Sequence, residues 1–92
     1  MTTALAHGLV LTLDRERRIL RGGTVAFDGE GTLVAVGPTE ETLAALPPDT
    51  EVVDCSRCVL TPGFVDAHAH LGEEVMRGLV PDGAPPDEWL PR

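Results

Sequence analysis

Gly22-Gly23-Thr24-Val25-Ala26-Phe27-Asp28-Gly29-Glu30-Gly31-Thr32-Leu33-Val34-Ala35-Val36 decides the fold class. Two short runs rich in Val, Ala and Phe flank an Asp-Gly pair, and Asp-Gly supplies the positive φ angles that tight hairpin turns need. The segment predicts two antiparallel strands, with Gly37-Pro38 closing the second. Upstream, residues 4 to 13 alternate: Leu5, His7, Leu9, Leu11 and Leu13 share one strand face, and Ala4, Ala6, Gly8, Val10 and Thr12 share the other. Asp14-Arg15-Glu16-Arg17-Arg18 is a charged, solvated turn, after which Ile19-Leu20 resume the apolar pattern. His7 falls on the leucine face and is read as structural.

Downstream, Thr39 stands where a helix N-cap belongs, Glu40 and Glu41 complement the helix dipole, and Leu43, Ala44 and Leu46 form an apolar stripe. Pro47-Pro48 stop this helix. Glu51-Val52-Val53-Asp54 and Arg57-Cys58-Val59-Leu60 predict two further short strands around Cys55-Ser56-Arg57-Cys58. The expected fold is mainly β: a small twisted antiparallel sheet, or half a β-sandwich, with one short helix over residues 1–61.

With 92 residues and 42% hydrophobic content, the chain suits one small core. A net charge of -8 opposes polyanions, which require clustered cations, so nucleic acid and anionic membranes are excluded as partners. No stretch approaches the roughly 20 apolar residues of a membrane span, and the N-terminus lacks a basic leader region, so a cytoplasmic protein is expected. The two cysteines could form half a zinc site or a redox pair. No further pair at zinc-finger spacing accompanies them, and the favoured reading is a tight turn between strands.

Pro62-Gly63-Phe64-Val65-Asp66-Ala67-His68-Ala69-His70 carries the chemistry. On a strand with period two, Asp66, His68 and His70 point one way, while Val65, Ala67 and Ala69 face a packing partner. Two imidazoles at i, i+2 can converge on one cation, since neutral histidine nitrogens suit zinc and iron. The plainer alternative for a bare His-x-His is an exposed strand with two solvated histidines.

This segment resembles the signature of the amidohydrolase superfamily, in which the first strand of a β/α barrel ends in Pro-Gly-x-(Val/Ile)-(Asp/Asn)-x-His-x-His. Gly22-Gly23-Thr24-Val25, Val34-Ala35-Val36-Gly37-Pro38 and Val53-Asp54 look like that family's β-rich N-terminal segment. His70-Leu71, Arg77-Gly78-Leu79 and Glu88-Trp89-Leu90 are similar to the branch of chlorohydrolases and guanine, cytosine and S-adenosylhomocysteine deaminases. Cys-Ser-Arg-Cys departs from the small residue and Gly that the family usually carries at 55–58.

The resemblance implies that residues 62–92 begin a barrel that a longer enzyme completes. It implies that His68 and His70 are ligands of a divalent zinc or iron, joined by a third histidine and an aspartate from later strands. It also implies that the metal activates a water for attack on a cyclic amidine or amide carbon–nitrogen bond of a small-molecule substrate. Asp66 is expected to hold a ligand's tautomer, and Met76 and Arg77 are candidate pocket residues. The 92 residues alone are expected to be inactive, with the metal pair empty or weakly filled and the unpaired sheet edges inviting a homodimer or strand exchange. A second reading makes the chain a stand-alone β-module that binds a partner, or zinc weakly through Cys55, Cys58, His68 and His70.

Overall fold

The computed structural model describes residues 1–69, 78–79 and 83–85. Its elements are β1 (Thr3–Leu11), β2 (Ile19–Phe27), β3 (Leu33–Pro38), α1 (Thr39–Ala45), β4 (Glu51–Asp54) and β5 (Val59–Leu60). They form one five-stranded sheet in the order β3-β2-β1-β4, with β5 also on β1. The fold is therefore mainly β with one short helix, as expected.

The sheet is mixed. β1 to β3 are antiparallel neighbours, as the turn signals predict, but β4 and β5 run parallel to β1. The cause is the connection. A parallel neighbour requires a crossover, and the stretch carrying α1 returns the chain to the far side of β1 in the direction of β3.

Register sorts the side chains into two ranks. Val52, Ala4, Ala26 and Ala35 align across β4, β1, β2 and β3, while Val53, Leu5, Val25 and Val36 form the adjacent rank, which points to the opposite face. The alanine rank lies on the face where α1 packs, and Ala4, Ala6 and Ala26 are fully buried there. Small side chains let the helix approach closely. Even on β3, a Cβ at Gly37 would stand 2.9 Å from Thr42 Oγ1. The most deeply buried residues are thus the alanines and Thr24, whereas Leu5, Leu9 and Leu11 are only half-buried.

β1 and β2 each carry an irregularity at the same level. Pairing steps from Leu5↔Val25 to Gly8↔Gly23, which inserts an extra residue in β1, and then to Leu9↔Arg21, which inserts one in β2. The positive φ angles fall at His7 (66°) and Gly22 (66°), so the two bulges cancel and register is restored. His7, expected on the leucine face, is turned out to solvent by its bulge.

Thr39 ties the bulges together. Its hydroxyl accepts from the His7 N–H (3.1 Å) and the Thr24 hydroxyl (2.9 Å), and donates to the Gly22 carbonyl (2.8 Å). This corrects the expected cap. Pro38 occupies the N-cap position, α1 has no side-chain cap, and Thr39 is the first helical residue with its oxygen directed into the sheet. Glu40 and Glu41 do occupy the first turn, but the buried helix residues are Thr39 and Thr42 rather than the predicted Leu43, Ala44 and Leu46.

The turns follow their carboxylates. In the β1–β2 turn Asp14 accepts from the Thr12 hydroxyl and from the Glu16 and Arg17 N–H groups. The Thr12 bond leads, with Arg17, Arg18 and Glu16 contributing, in holding its carboxyl below the ordinary value against a smaller upward push from desolvation. Asp28 plays the same part between β2 and β3, accepting from Glu30 and Thr32. The positive φ there belongs to Gly31 (85°), not to Gly29 of the Asp-Gly pair.

Candidate metal centre

The chain approaches the histidine segment along β5. Leu9 N–H donates to Cys58 O at 3.0 Å, and Val59 and Leu60 then pair with Leu9 and Val10. Pro62 follows, and having no N–H it cannot extend the ladder. Thr61 and Pro62 line the rim of an open groove of about 370 Å³ with Leu5, Leu11, Val25 and Leu60, the outward aliphatic face of the sheet.

Beyond Pro62 the chain leaves the sheet. Residues 61–69 pair with no described strand, and Phe64 and Val65 are 95% and 92% exposed. The alternation expected for a strand from Phe64 to His70 needs a neighbour to hydrogen-bond and a core to face. Neither is supplied by the described residues. Local chemistry takes over: Asp66 Oδ1 accepts the His68 backbone N–H at 3.1 Å, a turn-forming bond typical of aspartate. Asp66 is therefore bonded to the backbone of a candidate ligand.

His68 is exposed, and its imidazole has the donor chemistry a borderline divalent cation takes. His70, Met76 and Arg77 lie outside the described residues. Among the described residues no three His, Cys, Asp or Glu side chains gather as a metal site. The donor type thus fits a metal, while a full coordination sphere is not assembled by these residues. The zinc set of the second reading, Cys55, Cys58, His68 and His70, also includes a residue outside the described ones.

The cysteine segment is a tight turn, as expected. Cys58 N–H donates to Cys55 O at 2.8 Å, and the Asp54 carboxylate accepts from the Ser56 N–H and hydroxyl. Both thiols are free, Cys55 buried and Cys58 exposed. The feature that sequence reading missed is the groove itself, whose lining comes from all three antiparallel strands and from β5, so no local period gathers it.

No family model matches the chain. A 5-methylthioadenosine/S-adenosylhomocysteine deaminase of Syntrophobacter fumaroxidans is 43% identical over 86 residues, covering 94% of this chain and 19% of its own length. A 5'-deoxyadenosine deaminase of Methanococcoides burtonii is 35% identical over 86 residues, covering 94% of this chain and 18% of its own. The chain thus spans about a fifth of the length of these curated relatives. In three dimensions it is similar to a Bacillus thuringiensis protein whose crystal structure was solved as a structural genomics target. That match has a TM-score of 0.53 and 29% identity, covering 76% of this chain and 93% of the other.

Proposed function

Because the chain fits an N-terminal segment of the deaminase branch of the amidohydrolases, we propose that it belongs to a longer hydrolase that removes an amino group from an adenosine-type substrate by attack of water on a carbon–nitrogen bond. The observation that carries this reading is the 43% identity across 94% of the chain, which leaves too few residues outside the match to exclude Pro62–His70.

In this reading His68 and His70 hold a divalent zinc or iron together with ligands from outside the chain. When bound, such a cation supplies an activated water and polarises the electrophile. The work of this chain is to present the imidazoles. Pro62 ends the ladder, and the Asp66 carboxylate fixes the segment by bonding at His68. Met76 and Arg77 border the substrate in this proposal. The enzyme is cytoplasmic and handles a small molecule, and among the described residues no helix is long and apolar enough to cross a membrane. The 92 residues alone hold at most a weakly bound metal and turn over no substrate. Their outer edges, β3 and β4 with β5, self-associate.

The test uses the full-length gene product. Ammonia release is measured with 5'-deoxyadenosine, methylthioadenosine and S-adenosylhomocysteine, alongside metal content by plasma mass spectrometry. His68→Ala and His70→Ala are expected to lose both metal and activity, and Asp66→Asn to weaken metal binding by about 10–100-fold. Full metal content and turnover in His68→Ala would overturn the assignment.

A further inference from the structure

The Cys55–Cys58 turn is not used by the proposed hydrolysis, yet its backbone is bonded to β1 at both ends. Cys55 N–H donates to Ala6 O at 2.8 Å, Leu9 N–H donates to Cys58 O at 3.0 Å, and the turn's own Cys58-to-Cys55 bond is 2.8 Å. Two backbone bonds thus hold the cysteines on β1, either side of the His7 bulge, and the third closes the turn itself. Cys55 Cβ packs toward Gly8, where an added Cβ would come within 3.6 Å of it.

A β-turn closed by an i to i+3 bond keeps its end Cα atoms within about 7 Å, and a disulfide requires about 4.4–6.8 Å. Burial, followed by the neighbouring Cys58 thiol and the Asp54 carboxylate, pushes the Cys55 thiol up. Cys58 is open to solvent and Cys55 is buried. This is the arrangement of an attacking and a resolving cysteine.

We propose that Cys55 and Cys58 form a reversible dithiol–disulfide site that exchanges with low-molecular-weight disulfides of the glutathione type. Cys58, as thiolate, attacks one sulfur of the oxidant, forming a mixed disulfide and expelling one small thiolate. Cys55 then attacks the Cys58 sulfur, closing the intramolecular disulfide and expelling the second. The two protons lost by the cysteines pass to the two leaving thiolates, so the dithiol is oxidised as the small disulfide is reduced. The closed form joins the end of β4 to the start of β5. The turn between them is already closed by the Cys58-to-Cys55 backbone bond.

The 92-residue chain is incubated with graded ratios of reduced to oxidised glutathione, quenched by alkylation and read by intact and peptide mass spectrometry. The expected result is loss of two hydrogens, simultaneous protection of both thiols, a Cys55–Cys58 cross-linked peptide, and full reversal by excess reduced glutathione. Cys55→Ser is expected to accumulate a stoichiometric glutathione adduct at Cys58, and Cys58→Ser to remain unmodified. Should Cys55→Ser fail to fold, the wild-type masses and the exposed-site Cys58→Ser variant carry the test. A lasting adduct on the wild type, disulfide-linked dimers, two thiols that stay alkylatable throughout, or modification of Cys58→Ser at Cys55 would each overturn the proposal.

Discussion

Thr39 spends the whole hydrogen-bonding capacity of one hydroxyl on the sheet: two lone pairs accept from His7 and Thr24, and its proton goes to Gly22. Thr39→Val keeps the shape and removes all three bonds, leaving buried partners unsatisfied at about 1–3 kcal/mol each where burial is complete. Of the three partners only Thr24 is fully buried, so the expected loss is about 2–4 kcal/mol, measured as a lowered urea midpoint with an unchanged slope. Thr39→Ser retains the oxygen and is expected to recover most of that loss. A Thr39→Val midpoint equal to wild type would remove Thr39 from this role. The sequence marked Thr39 as polar at a helix start, and capping was the natural local reading. Its actual partners lie 15 to 32 positions away, beyond the reach of any local rule.

Among elements, the paired bulges of β1 and β2 separate two uses of glycine. Gly22 has φ +66° and open space around its missing side chain, so its requirement is conformational. Gly23 has no such angle, but a Cβ there would lie 2.7 Å from Val10 Cγ2 and 2.8 Å from Leu20 Cβ, so its requirement is steric. Gly23→Ala is expected to cost about 1–3 kcal/mol by overpacking, and Gly23→Asn more. At Gly22 the order reverses: Asn, which tolerates the left-handed region, is expected to cost less than Ala. Thermal unfolding of the four variants checks this, and equal ranking at both sites would refute it. Gly22-Gly23 was legible as an interruption of the strand pattern, but not as a bulge. A second bulge at His7 is what keeps β2 in register beyond it, and a non-glycine residue gives no signal for one.

At the scale of the molecule, the strands, the single helix and the cysteine turn could be read from alternation and turn residues, because each is set by neighbours in sequence. The direction of β4 and β5 could not, since it depends on where the α1 crossover delivers the chain. The histidine segment shows the opposite limit: its motif was plain, yet residues 61–69 take local turn bonding because a strand exists only against a partner. The same reasoning applies to the outer edges of the sheet. Among the described residues β3 leaves one side unpaired, the short β4 and β5 leave the other, and exposed Leu33, Val34, Val52, Val53 and Val59 lie along them. Such edges offer unpaired backbone donors and acceptors to a second copy. The 92-residue chain is therefore expected to show a mass that rises with concentration in static light scattering. Val52→Lys, a charge placed on the β4 edge, should push that rise to higher concentration without changing far-UV circular dichroism. A constant monomer mass across the range, with wild type and Val52→Lys indistinguishable, would show that the edges are silent in this chain.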